Sequence, residues 1–225
     1  AYKELIKDAE GQTVVVAVLD TGIDIKHEDL KDNIWTNKKE IPGNNIDDDK
    51  NGFVDDVYGW NFLGEAYYEQ LELTRLLGKG EDFPEKEDAQ KDYDKRLAEA
   101  RGEETLKYYL NYDFKGRTTG DDPDNFDQTY YGDNKVEHSR EDESHGTHVA
   151  GIIAAARNNN LGMKGVANNV EIMTLRVVPY GDEYDKDVAL GITYAADNGA
   201  DIINTSFGKG FSPHSDKVRD AIAYA

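Results

Sequence analysis

Two residues in this chain have types and settings suited to moving a proton. Asp20 ends the run Val14-Val15-Val16-Ala17-Val18-Leu19 and is followed by Thr21-Gly22. His145 stands in Ser144-His145-Gly146-Thr147-His148-Val149-Ala150-Gly151. A carboxylate that orients an imidazole, which then takes the proton of a hydroxyl, is the working part of a serine acyl-transfer site. Two other chemistries use similar residues. Asp-Thr-Gly after an apolar strand also serves aspartic peptidases, but there two such aspartates share a proton, and no second copy occurs here. Helical zinc pairs place histidines four apart with a glutamate between them. His145 and His148 instead bracket Gly146-Thr147, so His148 is expected to be a packed helix residue. Asp24 and His27 are expected to stabilise a turn, and His138 and His214 to be solvated.

A second constellation is acidic. Asp47-Asp48-Asp49-Lys50-Asn51-Gly52-Phe53-Val54-Asp55-Asp56 puts oxygen-bearing side chains at alternate positions, then a glycine. That is the opening of an EF-hand-like calcium loop, with Asp47, Asp49, Asn51 and the Phe53 carbonyl as expected ligands. Tyr58 holds the place of the usual bidentate glutamate, so Asp55 or Asp56 would have to close the shell. A merely solvated acidic turn is the plainer alternative, although so many like charges without a cation would repel. The net charge of −20 points the same way. It disfavours nucleic acid, which needs a basic footprint, and anionic membrane surfaces. No apolar run approaches the roughly 20 residues of a membrane span. The absence of cysteine excludes disulfides and thiolate metal sites.

Several elements must position these groups. Val14–Leu19 is continuous rather than alternating, as in a strand buried on both faces of a parallel sheet. A helix is expected from His145, with Ser144 as its cap and Val149, Ile152 and Ile153 on one face. A second strand follows at Glu171–Val178. Val188, Ile192, Ala195 and Ala196 mark an amphipathic helix closed by Asn198-Gly199. Ala200–Thr205 is a third strand, and a last helix begins at Ser215. Strands alternating with helices give an α/β fold, a mostly parallel sheet with helices on both faces.

Between about residues 64 and 134 the composition changes to Glu, Asp, Lys, Arg and Tyr. Hydrophobic residues are 38% of the whole chain and charged residues 32%, which fits a normal core diluted by this segment. Pro84 near a helix start, with Ala89, Tyr93, Leu97 and Ala100 at helical spacing, and Leu106, Tyr109 and Leu110 further on, suggest a partly helical insertion. Thr118–Gly132 reads as loop. A disordered linker is the alternative, opposed by the many tyrosines and leucines. The insertion is expected to form a charged rim beside the cleft.

The two proton-handling motifs resemble one known family. Val16–Asp24 with His27-Glu28-Asp29-Leu30 is similar to the aspartate motif of subtilisin-like serine peptidases (subtilases), and His145–Gly151 to their histidine motif. Asn158–Ala167 resembles the segment after the catalytic helix, and Asp201–Gly208 the strand bordering the primary specificity pocket. The order, Asp before His, is also the family's. The match covers about 14–62 and 131–225.

The resemblance implies a calcium-binding serine endopeptidase, secreted into an extracellular or periplasmic space and acting on peptide or protein substrates. Asp20 and His145 would be catalytic, and Ser206, Phe207 and Gly208 would line the substrate pocket. Val178–Tyr184 would form the other side of the channel, where Asp182, Glu183 and Asp185 are expected to favour basic side chains. It also implies a second calcium site using Asp29 and the Asn158 loop, here one residue longer than the family pattern. The family's oxyanion asparagine and its nucleophile motif, Gly-Thr-Ser-Met-Ala-like, are absent from this sequence. Ser139, Ser144, Ser212 and Ser215 have no nucleophile-like context. Residues 1–225 are therefore expected to be a partial peptidase domain, truncated at the C-terminus and inactive alone, with the rest of the catalytic domain as partner. A non-catalytic binding protein that kept the cleft is the rival function.

Overall fold

The computed structural model describes residues 11–138, 140 and 142–225. Four strands, β1 (Val14–Asp20), β2 (Gly59–Asn61), β3 (Val170–Arg176) and β4 (Ile202–Thr205), form one sheet in the order β2-β3-β1-β4. Every pairing is parallel. Both faces of β1 are covered, which is why its apolar run does not alternate. Val16 and Val18 pack with Ile23, Leu30, Ile172 and with Ala150 and Ala154 of one helix. Ala17 and Leu19 point the other way, into a larger cluster with Met173, Leu175, Val188, Ile192, Ala195 and Ala221.

Among the described residues five α-helices accompany the sheet: α1 (Glu72–Lys79), α2 (Lys86–Glu99), α3 (His145–Ala154), α4 (Asp185–Asp197) and α5 (Ser215–Tyr224). α3 covers one face, and α4 with α5 the other. The expected α/β fold is therefore what forms. Gly199 adopts the left-handed conformation (φ 80°) just after α4, as expected of a helix-terminating glycine.

Parallel pairing sends all the carboxyl ends to one edge. In register, Asp20 lies beside Arg176, Arg176 beside Asn61, and Leu19 beside Thr205. Ligand sites of open parallel sheets gather at that edge.

The insertion holds α1, α2 and a π-helical turn at Thr105–Tyr109. It has a small core of its own, made of Leu73, Ala89, Tyr93 and Leu110. Buried charge pairs join it to the rest of the fold. Arg117 binds Asp187 at 2.7 and 2.8 Å and Asp121 at 2.8 Å through both oxygens. Lys186 reaches Asp121 at 2.6 Å, and the Tyr131 hydroxyl donates to Asp187. Lys186 and Asp187, in the first turn of α4, have no solvent exposure. Charges so deeply buried are tolerated because they are paired across the junction, and loss of one partner would strand the other. Residues 67–70 also hydrogen-bond to the backbone of 180–182, with Tyr68 bridging to Tyr180 in parallel.

Candidate active site

Asp20 sits at the end of β1 and is 1% exposed. Its Oδ1 accepts from the Thr21 amide at 2.8 Å and lies 2.7 Å from Nδ1 of His145. A carboxylate can only accept, so Nδ1 carries the proton and Nε2 is left as the ring's acceptor. Its side chain 56% exposed, His145 opens α3. Among the described residues no hydroxyl hydrogen-bonds the ring; Ser212 donates to Asp185, and Ser139 lies outside the described residues. Ser144 precedes the helix as expected, but its side chain makes no capping bond.

What holds α3 against β1 is a close backbone approach. The Gly146 amide donates to Thr21 Oγ1 at 3.2 Å. A Cβ on Gly146 would lie 2.3 Å from the Gly22 carbonyl and 3.2 Å from Asp20. Only glycine permits that contact. Gly22 itself has φ 108°, a conformation L side chains avoid. Behind the pair lies a feature the sequence did not reveal. Arg176, 1% exposed, reaches both the Thr21 carbonyl and the buried Glu143 carboxylate. Partners this far apart in sequence leave no local signal.

Ser206 and Gly208 are exposed after β4, on the same edge of the sheet, while the Phe207 ring packs onto the main core. Asn204 donates to Ser206 Oγ at 3.0 Å. The acids expected to face a channel instead turn inward. Asp182 accepts from the Glu72 amide at the start of α1, at 2.8 Å. Asp185 holds Ser212 at 2.8 Å, the His214 amide at 2.7 Å and Lys209 at 3.0 Å. Glu183 is buried, and burial pushes its carboxyl up to about 7. These groups brace the insertion and the 209–214 segment, which removes the physical basis for a preference for basic side chains. His148 is exposed on α3 rather than packed. His138 is half-buried against Gly22, and His214 pairs with Asp124 at 2.8 Å, so neither is simply solvated.

The acidic loop closes on itself. Asp47 and Asp49 accept from the Asn51 amide at 3.1 Å, and Asn51 Nδ2 donates to Asp56 at 2.8 Å. Among the described residues, carboxylate oxygens of Glu40, Asp47 and Asp49 lie within 4.8 Å of one another. Glu40, not singled out in the sequence, is 6% exposed, and burial raises its carboxyl. Asp55 faces away, its oxygens held by the amides of Gly43, Asn44 and Asn45 at 2.8–3.3 Å. Asp56 takes hydrogen bonds from Asn37, Asn51 and the Tyr194 hydroxyl. The Phe53 ring packs edge-on against Trp60 and Tyr194. Three crowded carboxylates are the donor chemistry of a hard cation. At the other expected site, Asn159 rather than Asn158 contacts Asp29, at 2.6 Å, and Asn158 is exposed. Among the described residues, Asp29 belongs to no group of three or more carboxylate or imidazole side chains close enough to share an ion.

Comparison with known proteins agrees with the geometry. The chain is 27% identical over 227 residues to Subtilisin-like protease 1 of Plasmodium falciparum (isolate 3D7), covering 99% of this chain and 22% of that protein. Shorter stretches are closer. Identity is 46% over 72 residues with the Cell wall-associated protease of Bacillus subtilis (strain 168), 32% of this chain and 8% of that one. It is 43% over 83 residues with the Thermophilic serine proteinase of Bacillus sp. (strain AK1), 36% of this chain and 20% of that one. The chain thus spans about a fifth or less of the length of these relatives. A family model described as Subtilase family matches residues 11–225. With that match running from before β1 to the end of α5, the chain belongs to the subtilase family.

Proposed function

We propose that this chain is part of the catalytic domain of a calcium-binding serine endopeptidase. The observation that carries the reading is the 2.7 Å contact between the buried Asp20 carboxylate and His145 Nδ1 at the carboxyl edge of the sheet. Asp20 fixes the ring and stabilises its protonated form. His145 Nε2 takes the proton of a serine supplied by sequence outside these 225 residues, then returns it to the leaving amine. The attacking hydroxyl forms an acyl-enzyme with the scissile carbonyl, and water releases the acid. Ser206, Phe207 and Gly208 line the substrate-facing edge beside β4. The remaining part of the catalytic domain is the partner that completes the site, and the substrate is a peptide or protein.

Glu40, Asp47 and Asp49, with Asn51, would hold calcium, which supplies charge neutralisation for a loop otherwise full of like charges. Asp29 is the weaker candidate because Asn159 occupies it. Secretion is part of the same reading; it fits calcium-rich surroundings and a relative named for the cell wall. No described helix is long and apolar enough to cross a membrane.

The test is peptide cleavage and labelling by a serine-reactive phosphonate in the complete protein that carries this chain. His145→Ala should abolish both, and Asp20→Asn should lower kcat about 10⁴-fold, the loss typical of a triad without its aspartate. Undiminished cleavage by His145→Ala overturns the proposal. The 225-residue chain alone should show neither cleavage nor labelling.

A further inference from the structure

One guanidinium holds both sides of the Asp20–His145 pair. Arg176 Nε donates to the Thr21 carbonyl, next to Asp20, at 2.9 Å. Its Nη2 donates to Glu143 Oε1 at 3.0 Å and to the Ala66 carbonyl at 2.9 Å. Nη1 reaches the Gly64 carbonyl at 3.1 Å and Asn61 Oδ1 at 3.3 Å. Glu143 precedes Ser144 and His145, and its other oxygen accepts the Arg140 amide at 3.2 Å. The two side chains are 1% and 0% exposed.

A buried ion pair is a poor way to gain stability. Desolvation offsets most of the attraction, and apolar residues of similar size often serve as well or better. What such a pair does provide is direction. The fork of Arg176 fixes the angle of Glu143, and with it the entry to α3, relative to the turn that carries Asp20. His145 needs such a device because its own side chain is largely exposed and Ser144 does not cap the helix. Gly146 limits how closely α3 approaches, but a glycine contact does not fix rotation of the helix start.

We propose that Arg176 and Glu143 are positioning residues that set the His145 ring against Asp20. The inference rests on the acyl-transfer reading of that pair, and neither residue touches the reacting atoms. Displacing a reacting group by about 1 Å can cost about 10²-fold in rate. Loss of the pair should therefore lower kcat and leave KM nearly unchanged.

The experiment uses the complete enzyme, with active sites titrated so that kcat refers to folded molecules. Glu143→Gln, which keeps shape and volume, should reduce kcat at least tenfold with KM within about twofold, a fraction of the positional cost above. Glu143→Leu with Arg176→Met fills the same space without charge and removes both partners together. The paired variant also strands the Thr21, Gly64 and Ala66 carbonyls, so it should melt below the parent; kcat per titrated active site, which counts only folded molecules, should still fall. A paired variant with parental kcat shows that Arg176 and Glu143 are only structural and overturns the inference. So does parental kcat in Glu143→Gln. His145→Ala in the same series separates the two claims: if it alone stays active, the acyl-transfer reading fails, whereas an inactive His145→Ala beside a fully active pair variant defeats only the positioning role.

Discussion

Replacing Glu69 by glutamine should stabilise the protein at pH 8 and do little at pH 5. Glu69 is 1% exposed, in the segment that pairs with 180–182. Oε2 accepts the Tyr184 hydroxyl at 3.0 Å, while Oε1 is buried without a hydrogen-bond partner. Burial pushes the carboxyl from 4.5 up to about 7; Tyr184 and Arg117 oppose the rise, and Asp187 and Glu72 add to it. The folded state therefore keeps a proton that the unfolded chain has released, and stability declines as pH climbs from 4.5 through 7. At about 1.4 kcal/mol per pH unit, that window is worth about 3 kcal/mol, an upper figure because buried sites relax. For a chain of this size about 2–4 °C accompanies each kcal/mol, so the gap in melting temperature should reach several degrees. The assay is thermal and denaturant unfolding of parent and Glu69→Gln from pH 5 to 8 at fixed calcium. Equal destabilisation of the variant at both pH values would mean that the ionised carboxylate supports the fold, and would refute the argument. Glu183, also held near 7 by burial, contributes in the same direction, so Glu183→Gln is the companion control.

Other consequences can be checked in the same way. Calcium at a hundredfold excess over its dissociation constant should add about 2.7 kcal/mol; chelator should remove that gain, and Asp49→Ala or Glu40→Gln should shrink it, as read from paired melting curves. Arg117→Ala strands Asp187 in the interior and should cost about 3–5 kcal/mol. Adding Asp187→Asn should recover part of that loss in a double-mutant cycle, and strict additivity would contradict the pairing. Gly146→Ala forces a methyl against the Gly22 carbonyl. It should cost at least about 1–3 kcal/mol and cut activity of the complete enzyme about 10²-fold; a fully active Gly146→Ala would show that α3 has room to move.

The elements nearest the chemistry were legible because their signals are local. Val14–Leu19 could only be a doubly buried strand, and Ala89 and Tyr93 lie on the buried side of α2 as their spacing requires. Leu97, counted with them, is 45% exposed, since α2 packs on a narrow stripe. β2 escaped notice because Gly59-Trp60-Asn61 is too short to show a period. α1 was missed because Gly78 and Gly80 break a leucine pattern that is sound through Leu73 and Leu76. Asp47 and Asp49 were readable from a loop motif, whereas Glu40 joins them only through the loop's closure. Arg176 and Glu143 belong to no local motif, and no pattern in one sequence pairs residues so far apart.

The placement of β1 has a kinetic consequence. Thr13 bonds to Asn169 across 156 residues and Val15 to Asp201 across 186, yet β1 is the first of the four strands to be synthesised. Closing such loops is what slows folding in proteins with distant contacts. α1, α2 and α3 can form locally in the meantime and shorten the effective loop between β1 and β3. Until β3 and β4 arrive, Val14–Leu19 is an unpaired apolar segment, the kind that associates with other chains. A nascent protein of this design therefore needs its first strand shielded while the ribosome makes the intervening residues, and slowing translation between β1 and β3 should raise aggregation before it affects the finished fold.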